Sequence, residues 1–275
     1  MMQNVFLGIT LLCLILSCSS DRSTTSTTTP STTDIPTVVA TASIFADMAQ
    51  NIAGDLLEVQ TIVPIGSDPH LYEPLPRDAK LVSEADVVLM NGLTFEGWLK
   101  KLIQNSGTKA AVIRITDGVK PIGGEYKNAT DPHAWMNVQN GLIYIDNIQK
   151  ALVAAAPQYA EEFAFNYNIY RKQLEDLDKE IQSKINEIPV ERRILITSHD
   201  AFKYYGQRYG VQLEAAQGVS PEAELTVSDI KRLNQVIQEK NIPAIFVEST
   251  INPKIIQQIA EDNNIKIGGE LFADS

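Results

Sequence analysis

Cysteine is scarce in this 275-residue chain, and both copies, Cys13 and Cys18, lie near the N-terminus. If residues 1–17 are removed as a signal peptide, at most one cysteine remains and no internal disulfide can form. An exported protein of this kind must be stabilised by its apolar core. About 240 further residues are enough for one large domain or two modest ones.

Clustered positive charge and several enzyme signatures are also absent. The net charge is −11 and Lys and Arg form no cluster, which argues against nucleic acid as a partner. The chain contains no His-Glu-x-x-His pattern, no Gly-x-Ser-x-Gly elbow and no Gly-rich phosphate loop after a predicted strand. The common zinc-protease, serine-hydrolase and phosphate-loop chemistries are therefore disfavoured.

The first 35 residues have the composition of an export and anchoring segment. Residues 1–17 contain an apolar run that suits a signal peptide and is too short for a membrane span. The run ends in Leu-Ser-Cys18, which resembles a bacterial lipoprotein signal, so Cys18 is the candidate lipidation site. A plain secretory signal is the alternative, because Met1–Asn4 lacks Lys and Arg. We expect a location outside the cytoplasmic membrane, in the periplasm or on the cell surface.

A Ser/Thr-rich stretch follows this signal. Between Ser19 and Thr33, twelve of fifteen residues are Ser or Thr. Such a segment cannot bury enough apolar surface to offset its ordering entropy. Residues 18–35 are therefore predicted to be a tether that holds the remaining chain away from the bilayer.

After the tether, short apolar runs rich in β-branched residues alternate with helical patterns. This alternation predicts an α/β fold with mostly parallel sheets flanked by helices. The predicted strands are Val38–Phe45, Val59–Ile65, Asp86–Met90, Ala110–Ile115, Arg193–Thr197, Ala244–Val247 and Ile265–Ile267, and examples of predicted helices are Phe95–Gln104, Asp200–Tyr209, Thr226–Lys240 and Pro253–Asn263.

One long helical segment separates two halves of this pattern. Residues 161–187 contain neither Gly nor Pro, and apolar residues recur there at steps of three and four from Phe163 to Ile185. A helix of this length is about 40 Å long, which exceeds what one sheet layer needs. An ordinary surface helix or a coiled coil is the alternative. The predicted organisation is an N-terminal lobe at 36–156, a rigid connecting helix at 157–189 and a C-terminal lobe at 190–275.

The three histidines of the chain all lie where a strand or loop leads into a helix. His70 and His133 each end an Asp-Pro-His tripeptide, and His199 follows a predicted strand. Proline stiffens its own backbone and that of the preceding residue, so it directs the imidazole that follows. Imidazole is the commonest metal ligand, and ligands bind at the carboxyl ends of parallel strands. The pattern predicts a metal site in the cleft between the lobes. Two ordinary turns with exposed histidines are the alternative.

Four carboxylates are candidates for the same site. Asp274, after the last predicted strand, would complete a four-coordinate metal site. Asp68 and Asp131 are candidates for orienting the imidazoles through a ring N–H. Glu248 is expected to order a loop or cap a helix, with direct ligation as the alternative. A closed four-ligand site leaves no position for a reactive water, so we expect no catalytic residues and no enzyme activity.

These motifs resemble the metal-binding receptors of bacterial manganese/zinc/iron ABC importers, the cluster A-I solute-binding proteins. The matching stretches are Gly66-Ser-Asp-Pro-His-Leu-Tyr-Glu-Pro74, Asp131-Pro-His-Ala-Trp135, Thr197-Ser-His-Asp-Ala-Phe-Lys-Tyr-Tyr205, Gly218-Val-Ser-Pro-Glu-Ala-Glu224, Val247-Glu-Ser249 and Leu271-Phe-Ala-Asp-Ser275. The resemblance implies two lobes joined by a rigid helix and one metal ion between them, delivered to an ABC permease. It implies the ligand set His70, His133, His199 and Asp274, in a monomer that reaches the membrane through its lipid anchor.

The sequence departs from the family pattern near two of these motifs. Met136–Asn140 stands where relatives usually have an aspartate-proline turn, and the sequence stops at Ser275 where relatives continue through another helix. The C-terminal lobe is therefore expected to be a truncated version of the family's.

The donor set also bears on which metal binds. Many manganese and iron receptors have glutamate where this chain has His199, and imidazole favours zinc over manganese. Zinc receptors often carry a His-rich loop before the second histidine, which is absent from residues 119–130. We expect one Zn²⁺ per chain, with Mn²⁺ as second choice, and affinity that falls as the histidines protonate below about pH 6.

Two other functions remain open from the sequence. One is a surface adhesion lipoprotein in which a metal is structural. The other is a metal-dependent hydrolase, which would recruit Glu73 or Glu248 as its general base.

Overall fold

The computed structural model describes residues 35–124, 130–219 and 225–274. The predicted signal peptide, nearly all of the predicted tether and the candidate lipidation site Cys18 lie outside the described residues.

The first half of the described chain is a four-stranded parallel sheet with helices on both faces. Its strands are β1 (Val38–Ala40), β2 (Val59–Thr61), β3 (Val87–Met90) and β4 (Ala111–Arg114), and its helices are α1 (Ser43–Ala53), α2 (Pro76–Glu84), α3 (Leu99–Ser106) and α4 (Val138–Ala155). The strand order is β2-β1-β3-β4, so β1 has a parallel neighbour on each side. The chain therefore leaves the carboxyl ends of β1 and β3 in opposite directions, which opens a crevice at that edge.

Side chains from these strands alternate between two apolar clusters. Val38 and Ala40 pack on the cluster formed with α1 and α4, whereas Val39 packs on the cluster formed with α2 and α3. Successive strand residues point to opposite faces, and both faces are covered by helices here. This burial on both sides explains why the strands are continuous apolar runs in the sequence.

The long helix α5 spans Ala160–Asn186, after a short 3-10 turn at Pro157–Tyr159. Phe163, in its first turn, is fully buried against α1 and α4. At 27 residues it is about 40 Å long. Within the described residues, no helix is long and apolar enough to cross a membrane.

The second half contains two parallel strand pairs. Strand β5 (Ile194–Thr197) pairs with β6 (Gln212–Ala215), and β7 (Ala244–Glu248) pairs with β8 (Lys266–Leu271). Strand β5 packs beside β7, and the helices are α6 (Lys203–Tyr209), α7 (Val227–Lys240) and α8 (Lys254–Asp262). The predicted α/β fold with parallel sheets flanked by helices is confirmed.

Several predicted elements are wrong in extent, and others were not predicted. The strand predicted at Val38–Phe45 ends at Ala40, and α1 begins three residues later with Phe45 on its buried face. Because the strand and the helix lie so close together in the chain, their apolar residues form one continuous run in the sequence. Helix α4 escaped prediction because its β-branched residues and Gly141 are poor helix formers.

A buried polar network joins α5 to both halves. The carboxylate of Asp178 accepts hydrogen bonds from Gln139 in α4 (2.9 Å) and from Arg208 Nε (3.0 Å) and Tyr209 (2.8 Å) in α6. Burial raises the pKa of Asp178, but these hydrogen bonds outweigh burial and hold it below its usual value. The ionised carboxylate is therefore the form that the fold stabilises.

Replacing this carboxylate should destabilise the protein. We expect Asp178→Asn to lower the free energy of unfolding at neutral pH by about 2 kcal/mol, because buried donors lose a charged acceptor. The lowered pKa means that this contribution is present above the unfolded-state value of about 4 and disappears as the pH falls through the folded-state value. Urea unfolding at pH 7 and pH 3 measures both.

The exposed Asp176 on the same helix, which contacts Lys172, provides a matched control. Asp176→Asn should leave the unfolding midpoint unchanged. Equal effects of the two substitutions would show that the Asp178 network contributes no specific stabilisation.

Candidate metal centre

The four candidate ligands all follow the carboxyl ends of strands. His70 lies in the loop after β2, His133 lies in the loop after β4, His199 lies two residues after β5 and Asp274 lies three residues after β8. Because all strand pairs are parallel, these loops gather at one edge of each sheet. The structure brings the four side chains together, with one ligand atom from each lying within 4.8 Å of the others.

The separations between these atoms are short. His133 Nε2 lies 3.1 Å from His70 Nε2 and 3.4 Å from His199 Nε2. The carboxylate oxygens of Asp274 lie 3.8, 3.5 and 3.3 Å from Nε2 of His70, His133 and His199, respectively.

These separations fit a tetrahedral ion. Zinc bonds of 2.0–2.1 Å to nitrogen or oxygen place tetrahedral ligand atoms about 3.3–3.4 Å apart. The five separations given above fall between 3.1 and 3.8 Å, with Oδ2 of Asp274 nearest to His70 and His199 and Oδ1 nearest to His133. The donor atoms are therefore close enough to converge on one ion of this size.

One carboxylate fixes the tautomer of His133, and a second lies against the ring of His199. Asp131 Oδ1 lies 2.7 Å from Nδ1 of His133, and Glu248 Oε2 lies 2.5 Å from Nδ1 of His199. A ring that donates its Nδ1–H to a carboxylate presents the Nε2 lone pair, which is the arrangement that metal-bound histidines adopt. Asp131 thus orients the ring of His133 toward the common centre. Glu248 contacts the ring of His199 and accepts the backbone N–H of that residue at 2.9 Å.

The two remaining carboxylate candidates are placed differently. Asp68 Oδ1 accepts the backbone N–H of His70 at 2.8 Å, so it orders the loop and not the imidazole. Glu73 is exposed to solvent. The side chain of Glu248, which contacts the ring of His199, is buried and offers no open base position.

Burial and charge change the proton affinities of the site. Burial lowers the pKa of His70 to about 3, which the charge of Asp274 only partly offsets. Burial also lowers the pKa of His199, but contact with the carboxylates of Asp274 and Glu248 outweighs it and raises the value to about 10. Burial raises the pKa of Asp274, and the three imidazoles reverse this and hold it well below its usual range. Without a metal, His199 is therefore the group that carries a proton.

A buried polar group behind the second histidine was not predicted from the sequence. Asn91 donates an amide N–H to the carbonyl of Pro132 at 2.9 Å, directly before His133. Glu96 in turn accepts the backbone N–H groups of Asn91 (2.7 Å) and Gly92 (3.0 Å). These contacts join residues far apart in the chain, and the sequence carries no local signal for them.

The centre is almost closed to solvent, and its carboxylate lacks hydrogen-bond partners of good geometry among the described residues. The side chains of His133, His199 and Asp274 are fully buried, and that of His70 is 6% exposed. Among the described residues, neither carboxylate oxygen of Asp274 has a hydrogen-bond partner of good geometry. A buried anion without such partners is costly, and a bound cation removes that cost.

Comparison with known proteins identifies a family and several relatives that this chain resembles. The family described as zinc-uptake complex component A, periplasmic (ZnuA), matches residues 38–275. The manganese ABC transporter substrate-binding lipoprotein PsaA of Streptococcus pneumoniae is 37% identical over 278 residues, covering 98% of this chain and 88% of that protein. The metal ABC transporter substrate-binding lipoprotein SsaB of Streptococcus sanguinis is also 37% identical, with 98% and 89% covered.

Solved structures share the fold. The periplasmic zinc-binding protein TroA of Treponema pallidum superposes with a TM-score of 0.82 at 31% identity, covering 87% of this chain and 89% of that one. A manganese-bound periplasmic metal-binding protein of Candidatus Liberibacter asiaticus gives 0.78 at 32% identity, with 87% and 90% covered. The resemblance drawn from the motifs is thereby confirmed, and the chain belongs to the zinc-uptake component A family, the extracytoplasmic metal-binding receptors of bacterial ABC importers.

Proposed function

We propose that this receptor captures a single divalent transition-metal ion between His70, His133, His199 and Asp274 and delivers it to the permease of an ABC importer. The observation that carries the proposal is the convergence of four donor groups, whose ligand atoms lie within 4.8 Å of one another. The names of its relatives as ABC transporter substrate-binding lipoproteins support the permease as partner. All four ligands come from one chain, so a monomer is sufficient.

We further propose that the site binds Zn²⁺ more tightly than Mn²⁺ and accepts both. Three imidazoles and one carboxylate form a donor set that suits zinc, and zinc lies above manganese in the general affinity order. Manganese prefers oxygen ligands and more of them. Both oxygens of Asp274 face the imidazoles without a hydrogen-bond partner of good geometry among the described residues, so a two-oxygen contact with manganese is available.

The organisation around this site is proposed from the sequence. Residues 1–17 are a signal peptide, Cys18 carries the lipid and residues 18–35 form the tether. A lobe at 36–156 supplies two histidines, and a lobe at 190–275 supplies His199 and Asp274, with the connecting helix at 157–189 between them. The relatives named as lipoproteins support the lipid anchor.

Removing one imidazole should weaken metal capture strongly. We expect the chain from Ser19 onward, purified without a chelating tag, to carry about one zinc or manganese ion, and we expect His199→Ala to carry much less, because the two imidazoles and one carboxylate that remain bind an ion more weakly than four ligands do. Elemental mass spectrometry measures the metal content. The matched control is Asp200→Ala, since Asp200 pairs with Lys203 outside the ligand set. Equal metal content in the two variants would contradict the proposed ligand set.

Metal binding should release a proton near neutral pH. The pKa of about 10 for His199 means that this imidazole is protonated before zinc binds and must be neutral afterwards. We expect about one proton released per zinc at pH 7.5, and affinity that falls about tenfold for each unit of decreasing pH around neutrality. This places the loss of affinity at higher pH than the sequence alone suggests.

Calorimetry in buffers of different ionisation enthalpy measures this proton. Glu248→Gln removes one of the carboxylates that raise the pKa of His199, so fewer protons should be released at the same pH. Zinc binding that releases no proton in the unsubstituted protein would contradict this assignment.

A further inference from the structure

The two tryptophans of the chain make the same kind of contact at two different ligands. Trp98 donates its indole N–H to the carbonyl of Pro69 at 2.8 Å, and Trp135 donates its indole N–H to the carbonyl of Ala273 at 2.9 Å. Each accepting carbonyl belongs to the residue directly before a proposed ligand. Both indoles therefore act on the peptide that carries a ligand side chain.

The two contacts differ in what they connect. Trp98 and Pro69 both belong to the first half of the chain, so their contact stays on one side of the site. Trp135 lies two residues after His133, and its partner Ala273 follows the last strand of the second half, 138 residues away. The hydrogen bond of Trp135 therefore connects the ligand loops of the two halves.

Trp135 is itself held firmly. Its ring packs edge-on against Phe45, Phe95 and His133, with ring centroids 5.1–5.4 Å apart. Only 6% of its surface is exposed, and Ala273 is buried. The indole N–H thus has a fixed direction, and its hydrogen bond lies in a water-excluded environment where geometry is best maintained.

Asp274 depends on this contact in a way that the histidines do not. The backbone N–H of each histidine ligand is bound by a carboxylate, from Asp68, Asp131 or Glu248, at 2.8–2.9 Å. For Asp274 the structure shows no equivalent support among the described residues, and its carboxylate oxygens have no hydrogen-bond partner of good geometry there. The position of this ligand is set through the preceding peptide, and Trp135 holds that peptide.

We propose that Trp135 is a positioning residue that fixes the carboxylate ligand Asp274 and thereby sets the relative affinity for Mn²⁺ and Zn²⁺. The inference rests on the proposed function of the site. Zinc is held adequately by three imidazoles and a water, whereas manganese depends on oxygen ligands from the protein. A loosely held Asp274 should therefore weaken manganese binding more than zinc binding.

The test removes each indole N–H and keeps an aromatic ring. Trp135→Phe and Trp98→Phe are compared with the unsubstituted protein, and the dissociation constants for Mn²⁺ and Zn²⁺ are measured by competition with chelators. For Trp135→Phe we expect manganese affinity to fall about tenfold and zinc affinity by no more than about threefold. For Trp98→Phe, which acts through the imidazole of His70, the ratio of the two affinities should stay within about a factor of two.

Benzothienylalanine at position 135 is the control for a change in packing, because it keeps the shape of indole and replaces only the N–H with sulfur. It should shift the affinity ratio as Trp135→Phe does, with an unchanged unfolding temperature. An unchanged ratio in both position-135 variants, or the same shift in Trp98→Phe, would overturn the inference. If the unsubstituted protein bound neither metal, the proposed function itself would fail, and that result is distinct from an unchanged ratio.

Discussion

Three imidazole nitrogens and one carboxylate face each other across 3.1–3.8 Å in a space that solvent does not reach. Lone pairs this close repel each other unless a cation or a proton lies between them. The rest of the structure maintains this arrangement. Parallel strands bring the four loops to one place, and the buried carboxylate of Asp131 keeps the ring of His133 turned inward. The fold supplies the geometry, and the proposed cation would supply the charge that stabilises it.

Under the proposed function, a proton and a metal ion compete for one position at His199. Asp274 contacts Nε2 of His199 and Glu248 contacts Nδ1 of the same ring. Together the two carboxylates raise the pKa of His199 to about 10, against the effect of burial. His70 lacks a ring-bound carboxylate of this kind, and burial lowers its pKa to about 3. The pKa values of two histidines in the same site are therefore shifted in opposite directions. Capture of the ion is expected to expel one proton and not several.

Three sets of side-chain hydrogen bonds join the two halves of the chain. Asp178 in the long helix ties α4 to α6 some distance from the ligands. Tyr204 of the second half donates a hydrogen bond to the carbonyl of Asp131 in the first half (3.0 Å). In the other direction, Trp135 of the first half donates a hydrogen bond to the carbonyl of Ala273 in the second half. Each contact satisfies a buried polar group by reaching into the other half. Separation of the halves would therefore disrupt the support of His133 and Asp274 together with the coordination itself.

The sequence predicted the parts of this structure whose signals are local. Asp-Pro-His directs a histidine side chain within three residues, and the structure brings both of these histidines together with His199 and Asp274. The step pattern from Phe163 to Ile185 identifies the long helix without reference to the fold. It could not show that Trp98 reaches Pro69 or that Asn91 reaches Pro132, because these contacts depend on how loops 29 and 41 residues apart meet. Helix α4 was missed since its β-branched residues pack against α1 and α5, and tertiary packing overrides their weak helix propensity.

The central claim is that one ion is coordinated at the same time by three imidazoles and one carboxylate from both halves. X-ray absorption at the zinc edge of the zinc-loaded protein tests it directly, because scattering from the outer atoms of each imidazole shows how many rings bind the zinc. The structure predicts four nitrogen or oxygen ligands at about 2.0–2.1 Å, three of them imidazoles. A shell with a single imidazole, or one made up of oxygen ligands alone, would contradict it.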